Sequence, residues 1–285
     1  MSVLEMLSML GGLAFFLYGM HVMSSGLERM SGGVLERTLE KTTNNRFKAV
    51  ALGAAVTALI QSSSATTVMA VGFVNGGIMN LNQATGIIMG ANIGTTITAW
   101  ILSLTGIEGS SIWIQLLKPT AFSPVLAAAG AAMVLFSKQE KRRTIGSILC
   151  GFAVLMFGMN LMGDAVKPLA ELPEFTEVMT MFTNPILGVL VGTVITGVIQ
   201  SSAASLGMLQ ALSMTGGITY GMAIPIIMGQ NIGTCVTALL SCIGASKNAK
   251  RTAMVHLYFN LIGTVFFLAV FYVLNAFLRF GFLDD

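Results

Sequence analysis

The chain states one pattern twice. Gln61-Ser62-Ser63-Ser64-Ala65-Thr66-Thr67 returns as Gln200-Ser201-Ser202-Ala203-Ala204-Ser205, an offset of 139 (200 − 61). Gly90-Ala91-Asn92-Ile93-Gly94-Thr95-Thr96 returns as Gly229-Gln230-Asn231-Ile232-Gly233-Thr234-Cys235 at the same offset. That shift also carries Gly12, Ala14, Gly19, Met20 and Met23 onto Gly151, Ala153, Gly158, Met159 and Met162. Asn45, Gly53 and Thr57 likewise fall on Asn184, Gly192 and Thr196. One constant shift over so many positions marks an internal duplication.

Composition decides the solvent around those units. Apolar residues make up 54% of the chain and charged residues 9%, with a mean hydropathy of +0.81. Soluble domains carry roughly 25% charge, so this chain cannot cover itself with polar surface and belongs in a bilayer. The 32 glycines and 20 methionines suit closely approaching helices with adaptable packing. Cys150, Cys235 and Cys242 lie in or beside apolar segments and read as small buried hydrophobes. A net charge of +3 is too small to argue for nucleic acid. The first residues lack the basic n-region of a cleavable leader, and the apolar stretch near 10–18 belongs to the repeat, so no leader is expected.

Continuous apolar spans run at about 7–26, 83–105, 113–136, 145–163, 222–243 and 252–277, each close to the roughly 20 residues a membrane helix needs. Two regions differ. Residues 47–60 are apolar, meet polar positions at Gln61–Ser64, and give way to a second apolar arm ending near Val74. Each arm is about 12 residues, or roughly 18 Å of helix, against a hydrocarbon core of about 30 Å. Residues 185–214, broken at Gln200–Ser202, repeat the form. Two half-length helices joined by a polar turn predict a re-entrant hairpin, tolerated at membrane depth only where the turn lines a protein or water cavity. The charged segments 28–45 and 164–184 are expected to be interfacial helices or polar loops.

Basic clusters set the orientation. They fall at Lys41, Arg46 and Lys48, at Lys138, Lys141, Arg142 and Arg143, and at Lys247, Lys250 and Arg251. The positive-inside rule places all three in the cytoplasm. The counterpart of the first cluster, 180–187, has no Lys or Arg, and neither has the counterpart of the third, 108–112. Equivalent loops with opposite bias predict copies inserted upside down relative to each other, with both chain ends outside. The expected fold is an all-α polytopic membrane protein of inverted-topology repeats, each with transmembrane helices and a re-entrant helical hairpin. Repeat 1 covers 1–137, with its hairpin at about 47–75 and an unwound span at about 83–105. A cytoplasmic linker covers 138–144. Repeat 2 covers 145–285, with its hairpin at about 185–215 and an unwound span at about 222–243.

The chemistry sits at the duplicated motifs. The arm after each Gln-Ser-Ser turn begins with unpaired N–H groups, which with neighbouring hydroxyls favour an anion. Gln61, Ser62, Ser63 and Ser64, with Gln200, Ser201 and Ser202, are the candidate ligands of a small oxyanion. Asn92, Thr95, Thr96, Asn231 and Thr234, with Thr66 and Ser205, offer neutral oxygens of the kind Na⁺ accepts, and Gly94 and Gly233 are expected to loosen the helices that carry them. The segments around these motifs hold no Asp, Glu, Lys or Arg; a proton-driven carrier usually places an ionisable group there, so sodium coupling is the better reading. His256 and Asn260, one turn apart, read as a gating contact or as helix–helix hydrogen bonding. His21 aligns with Asn160 and reads as a packing residue.

These residues resemble the type II sodium/phosphate cotransporters, the phosphate:Na⁺ symporter family. The match rests on QSSSATT and QSSAAS, on the two Asn-Ile-Gly-Thr motifs, and on Arg251-Thr252-Ala253-Met254-Val255-His256 with Phe259-Asn260. The resemblance implies Na⁺-coupled import of inorganic phosphate by alternating access across a bacterial inner membrane, with the hairpin turns forming a central site. It implies no catalysis and no cofactor beyond the coupling ion. The implied partners are phosphate, Na⁺ and the bilayer, with homodimerisation left open. Ala203 and Ala204 stand opposite Ser64 and Ala65, so the halves are not expected to coordinate identically. Family members typically continue through a further span, so more chain is expected beyond Asp285. Three alternatives stay open on the residues alone: a carrier of another small oxyanion or organic anion, a channel, and a membrane enzyme with a serine nucleophile. A channel needs a continuous polar stripe, and the enzyme needs a paired base. Neither His is duplicated, while the serines are.

Overall fold

The computed structural model describes residues 3–31, 45–104, 119–166, 183–214 and 216–284. These form helices and no strand. The predicted interfacial segments lie mostly outside the described residues. Among the described residues five helices are long and apolar enough to cross a membrane: Leu4–Met30, Leu81–Ser103, Glu140–Ala165, Tyr220–Ser241 and Lys247–Leu278. The chain is an all-helical, polytopic membrane protein.

Helices α1 (Val3–Ser31) and α6 (Glu140–Val166) form the most extensive packing in the molecule. Glycine makes it feasible. A Cβ added at Gly12 would meet Met162 N at 2.8 Å and Gly158 O at 2.9 Å, and one at Gly151 would meet Met23 N at 2.7 Å and Gly19 O at 2.8 Å. Backbones that touch in this way exchange side-chain volume for close van der Waals contact, the usual driving force for helix pairing in lipid. Residue numbers rise on one helix as they fall on the other, so α1 and α6 are antiparallel. Helix α5 (Pro119–Phe136) packs on the other side of α6, through Gly130 and Gly146.

Helices α2 (Arg46–Ile60) and α3 (Ser63–Asn75) are separated by two residues, as are α7 (Pro185–Ile199) and α8 (Ser202–Ser213). The reason is local. Gln61 and Gln200 cap the first arms in the left-handed conformation, with φ of 56° and 58°. Their backbone N–H groups bond the carbonyls of Thr57 and Thr196 at 2.8 and 2.7 Å. Ser62 and Ser201 then N-cap the second arms, accepting from the N–H groups of Ala65 and Ala204, both at 3.2 Å. A left-handed C-cap followed at once by a serine N-cap stops one helix and starts another within two residues.

The second arm folds back. Helix α4 (Leu81–Ser103) runs parallel to α2: Gly86 lies against Arg46 and Ala49, and Gly94 against Ala54 and Thr57. Its start therefore sits beside the start of α2, and α3 must return to that end to reach it through residues 76–80. Ala49, Val56, Ala70, Val74, Ala84 and Ile87 form the apolar core of this three-helix unit. The second unit repeats the arrangement. Helix α9 (Tyr220–Gly233) runs parallel to α7, with Gly192 against Ile226 and Gln230, and continues after Thr234 as α10 (Cys235–Ser241). Helix α11 (Lys247–Leu278) then returns, and its neighbouring Ser246 N–H donates to Asn75 Oδ1 at 2.8 Å. Its far end meets the start of α9, where Tyr220 and Phe282 pack edge to face at 6.1 Å.

One expectation fails. Helix α4 is unbroken from Leu81 to Ser103, so Asn92 to Thr96 lie in regular α-helix. A Cβ at Gly94 would lie 2.6 Å from both Ala54 O and Thr57 Cβ. Gly94 thus serves close approach of two helices, and the α2 contact holds α4 straight. Only the second copy is interrupted, at the single residue Thr234.

Candidate functional site

The two Gln-Ser-Ser turns line one small cavity. Its walls are Gln61, Ser62, Ser63, Ser64, Thr95, Thr98, Gln200, Ser201, Ser202 and Ala203, around a volume of about 100 Å³. A buried water needs roughly 10–15 Å³ by such a measure, so a small polyatomic ion and some water fit. All seven residues that the sequence nominated for an oxyanion therefore meet at one place, although 139 positions separate the two sets (200 − 61).

The electrostatics come from the backbone. Helices α3 and α8 begin at Ser63 and Ser202, so their first N–H groups and the positive ends of their dipoles lie at the cavity wall. Ser62 and Ser201 already accept hydrogen bonds through Oγ, which leaves each hydroxyl proton free to donate to a ligand. Among the described residues no Asp or Glu lines the cavity. An anion entering it meets donors and no like charge.

The two copies are not equally tied down. Thr98 Oγ1 donates to Gln61 Oε1 at 2.9 Å, and Gln61 Nε2 donates to Ala58 O. Thr57 Oγ1 donates to Thr66 Oγ1 at 2.9 Å, joining the two arms of the first hairpin. At the same offset, Thr57 corresponds to Thr196 and Thr98 to Thr237. The hydroxyls of Thr196 and Thr237 are buried without a hydrogen-bond partner, and Gln200 is exposed. The first turn is locked by its own side chains. In the second, the corresponding threonine hydroxyls are unengaged.

A larger cavity of about 700 Å³ adjoins the first through Thr95, Thr98, Ser202 and Ala203, and is walled by α4, α8, α9 and α11. Asn92, Thr95, Thr96, Gln230, Asn231, Asn260 and Thr264 supply its polar lining. Asn92 Nδ2 donates to Ile88 O at 3.0 Å, and Thr95 and Thr96 donate to Ala91 O and Ile93 O at 3.0 and 2.7 Å. Those bonds use protons and leave the oxygen lone pairs free, which is what a hard cation requires.

Other nominated residues lie elsewhere. Thr66 is fully buried, donates to Ser62 O at 3.1 Å and lines neither cavity. Thr234 donates to Gln230 O at 2.9 Å and lines neither, and buried Ser205 also stands outside both. Asn260 does bridge helices, donating to Cys235 Sγ at 3.3 Å and to His256 O at 3.0 Å. The His256 ring takes no part, being 1% exposed with both nitrogens unpartnered. The cavities also hold Thr98, Gln230 and Thr264, outside the expected ligands; of these only Thr98 recurs in kind at the common offset, as Thr237.

Comparison with known proteins gives the family. The family model for the Na⁺/Pi-cotransporter matches twice, over residues 15–164 and 154–284. A *Bacillus subtilis* (strain 168) protein described as "Uncharacterized protein YqeW" is 27% identical over 262 residues, 92% of this chain and 81% of that protein. "Putative inorganic phosphate export protein YjbB" of *Escherichia coli* (strain K12) is 28% identical over 95% of this chain, which spans only 48% of that relative. Human "Sodium-dependent phosphate transport protein 2B" is 29% identical over 47% of this chain and 22% of its own length. No solved structure matches. Two tandem matches that together span nearly the whole chain place it in a family of transporters, and this chain belongs to the Na⁺/Pi-cotransporter family.

Proposed function

We propose that this chain is a sodium-coupled symporter that imports inorganic phosphate by alternating access, with phosphate held between the two Gln-Ser-Ser turns. The observation that carries this reading is the single cavity lined by both turns. Phosphate presents several acceptor oxygens, and the cavity presents Ser62, Ser63, Ser64, Ser201 and Ser202 with two helix N-termini. Gln61 and Gln200 span ligand and backbone. Na⁺ binds next to it, at the free oxygens of Asn92, Thr95, Thr96 and Asn231 in the adjoining cavity, and the unpartnered hydroxyls of Thr196 and Thr237 are the next candidates. A cation beside the anion offsets its charge, which couples the two affinities.

The repeats are inverted in this reading. Equivalent helices α1 and α6 run antiparallel, and Gly12 meets the counterpart of Gly19 while Gly19 meets the counterpart of Gly12. Such exchange is the signature of a two-fold axis lying across the helices, hence in the membrane plane. Repeat 1 spans 1–137 and repeat 2 spans 145–285, with the linker 138–144 between them. The basic starts of α2, α6 and α11 then face the cytoplasm of a bacterial inner membrane.

The test is radiolabelled phosphate flux into proteoliposomes of known orientation. An inward Na⁺ gradient should drive uptake, choline should abolish it, and a protonophore should leave it unchanged. Uptake that survives choline and fails with the protonophore would sink the sodium mechanism. Net outward movement against an inward Na⁺ gradient would instead favour export, the activity named for the *E. coli* relative. Competition by sulfate or an organic anion at concentrations similar to phosphate would change the substrate and keep the site.

A further inference from the structure

We propose that a second, cationic cleft between α1, α5 and α6 binds the anionic phosphate headgroup of a membrane phospholipid. The cleft has a volume of about 710 Å³ and stands apart from the transport cavity, with which it shares no residue. His21 and Arg29 reach it from α1, Arg143 from α6, and Lys138 from the connection between α5 and α6. Glu140 is the only carboxylate in its lining among the described residues. The side chains of His21, Arg29, Lys138 and Arg143 make no ion pair or hydrogen bond with any other described residue. Gathered basic side chains with no partner among the described residues form a site that an anion can complete.

Placement selects the anion. The cleft lies where α1 ends and α6 begins, beside the basic cluster of Lys138 and Arg143, and in the topology proposed above this end faces the cytoplasm with the other basic clusters. From Tyr18 to Arg29 the α1 wall rises 11 residues (29 − 18), or roughly 16 Å. Its lower part is Tyr18 and Val22, with Val134 opposite, and its upper part is Arg29 with Lys138 and Arg143. Such a gradient from apolar to cationic matches a phospholipid lying along the helix, with acyl chains below and phosphate above. Ser25, Thr144 and Ser147 add hydroxyls at the level between. Arginine suits a phosphodiester because its fork donates two parallel hydrogen bonds, and basic pockets between helices on the cytoplasmic side are where such headgroups dock. This also gives His21 a role other than packing.

The experiment measures binding of dioctanoylphosphatidylglycerol to the purified full chain in a non-ionic detergent, by titration calorimetry. Dioctanoylphosphatidylcholine and inorganic phosphate are the competing probes. The R29Q/K138Q/R143Q protein should bind the anionic lipid roughly a hundredfold more weakly. The K48Q/K250Q/R251Q protein, which loses the same charge at the same end but outside the cleft, should stay within about threefold of the parent. Equal losses in the two variants would reduce the effect to general surface charge and overturn the cleft. Equal binding of the phosphatidylcholine would overturn anion recognition. Displacement of lipid by inorganic phosphate at millimolar concentration would reassign the cleft to the free ion. Should the triple variant fail to fold, R143Q alone should weaken binding by about fivefold, and an unchanged affinity overturns the proposal. The readout is binding, so it stands whether or not phosphate transport is found.

Discussion

At the scale of single residues, the left-handed glutamines are the most informative positions. Gln61 and Gln200 hold a conformation that costs a residue with a Cβ roughly 1–2 kcal/mol, and glycine would avoid that cost. Evolutionary convenience would favour glycine there unless the side chain were needed. The two needs can be separated. Gln61→Gly and Gln61→Ala both delete the amide that receives Thr98, but only glycine relieves the backbone. Thermal unfolding in detergent should rank the glycine variant about 1 kcal/mol more stable than the alanine variant, while both lose phosphate affinity. Equal affinity to the parent in both would leave the side chain without a role in binding. The serines give a second prediction. A hydrogen bond to a charged ligand is worth about 1.5–3 kcal/mol, so Ser63→Ala with Ser202→Ala should weaken phosphate binding by ten- to a hundredfold or more. Water can replace one lost donor, but hardly both across one ion. A correctly inserted double variant with unchanged apparent affinity would move the site away from the turns.

At the scale of elements, glycine marks where helices touch and where they do not. Gly94 on α4 has no room for a methyl group, because Ala54 O and Thr57 Cβ already lie 2.6 Å from where it would stand. Gly72 on α3 has nothing within 4 Å. Gly94→Ala should therefore force α2 and α4 apart and destabilise the protein by about 1–3 kcal/mol. Gly72→Ala should be neutral or stabilising, by up to about 1 kcal/mol, through helix propensity alone. Paired melting curves check the contrast, and a large loss at Gly72 would show a packed surface that the fold does not place there. The half-length arms obey the same economy of space. Arms of 15 and 13 residues are too short to cross, so each turn stops within the molecule, where the opposing turn can reach it.

At the scale of the whole molecule, the two hairpin turns meet at one cavity; under the proposed inverted topology the hairpins would enter it from opposite faces and supply the two gates that alternating access requires. Topology is directly measurable. In a protein with Cys150, Cys235 and Cys242 replaced, cysteines introduced at Lys48 and Lys250 should react with a membrane-impermeant reagent only from the cytoplasm. Cysteines at Ile186 and Tyr220 should react only from outside. Same-sided labelling of Lys48 and Ile186 would mean a parallel repeat and would remove the opposing gates.

The sequence by itself determined the bilayer, the duplication, the two broken hairpins and the residues that gather at the turns. Those features follow from local quantities: hydropathy, the length of an apolar arm, and a polar break repeated at one offset. It was misleading at Gly94, where the same residue type permits either unwinding or close approach, and only the position of α2 beside it decides between them. It also grouped Thr66, Ser205 and Thr234 with the cation ligands because their oxygens are of the right kind. Tertiary structure sets Thr66 against Thr57 and Thr234 back on its own helix, since the face a side chain presents depends on helix rotation against its neighbours. The bond from Thr98 to Gln61 spans 37 residues (98 − 61), and the cleft around Arg29 and Arg143 joins the first helix of repeat 1 to the linker that follows the repeat. Contacts of that range exist only once helices have packed, and no local property of the chain encodes them.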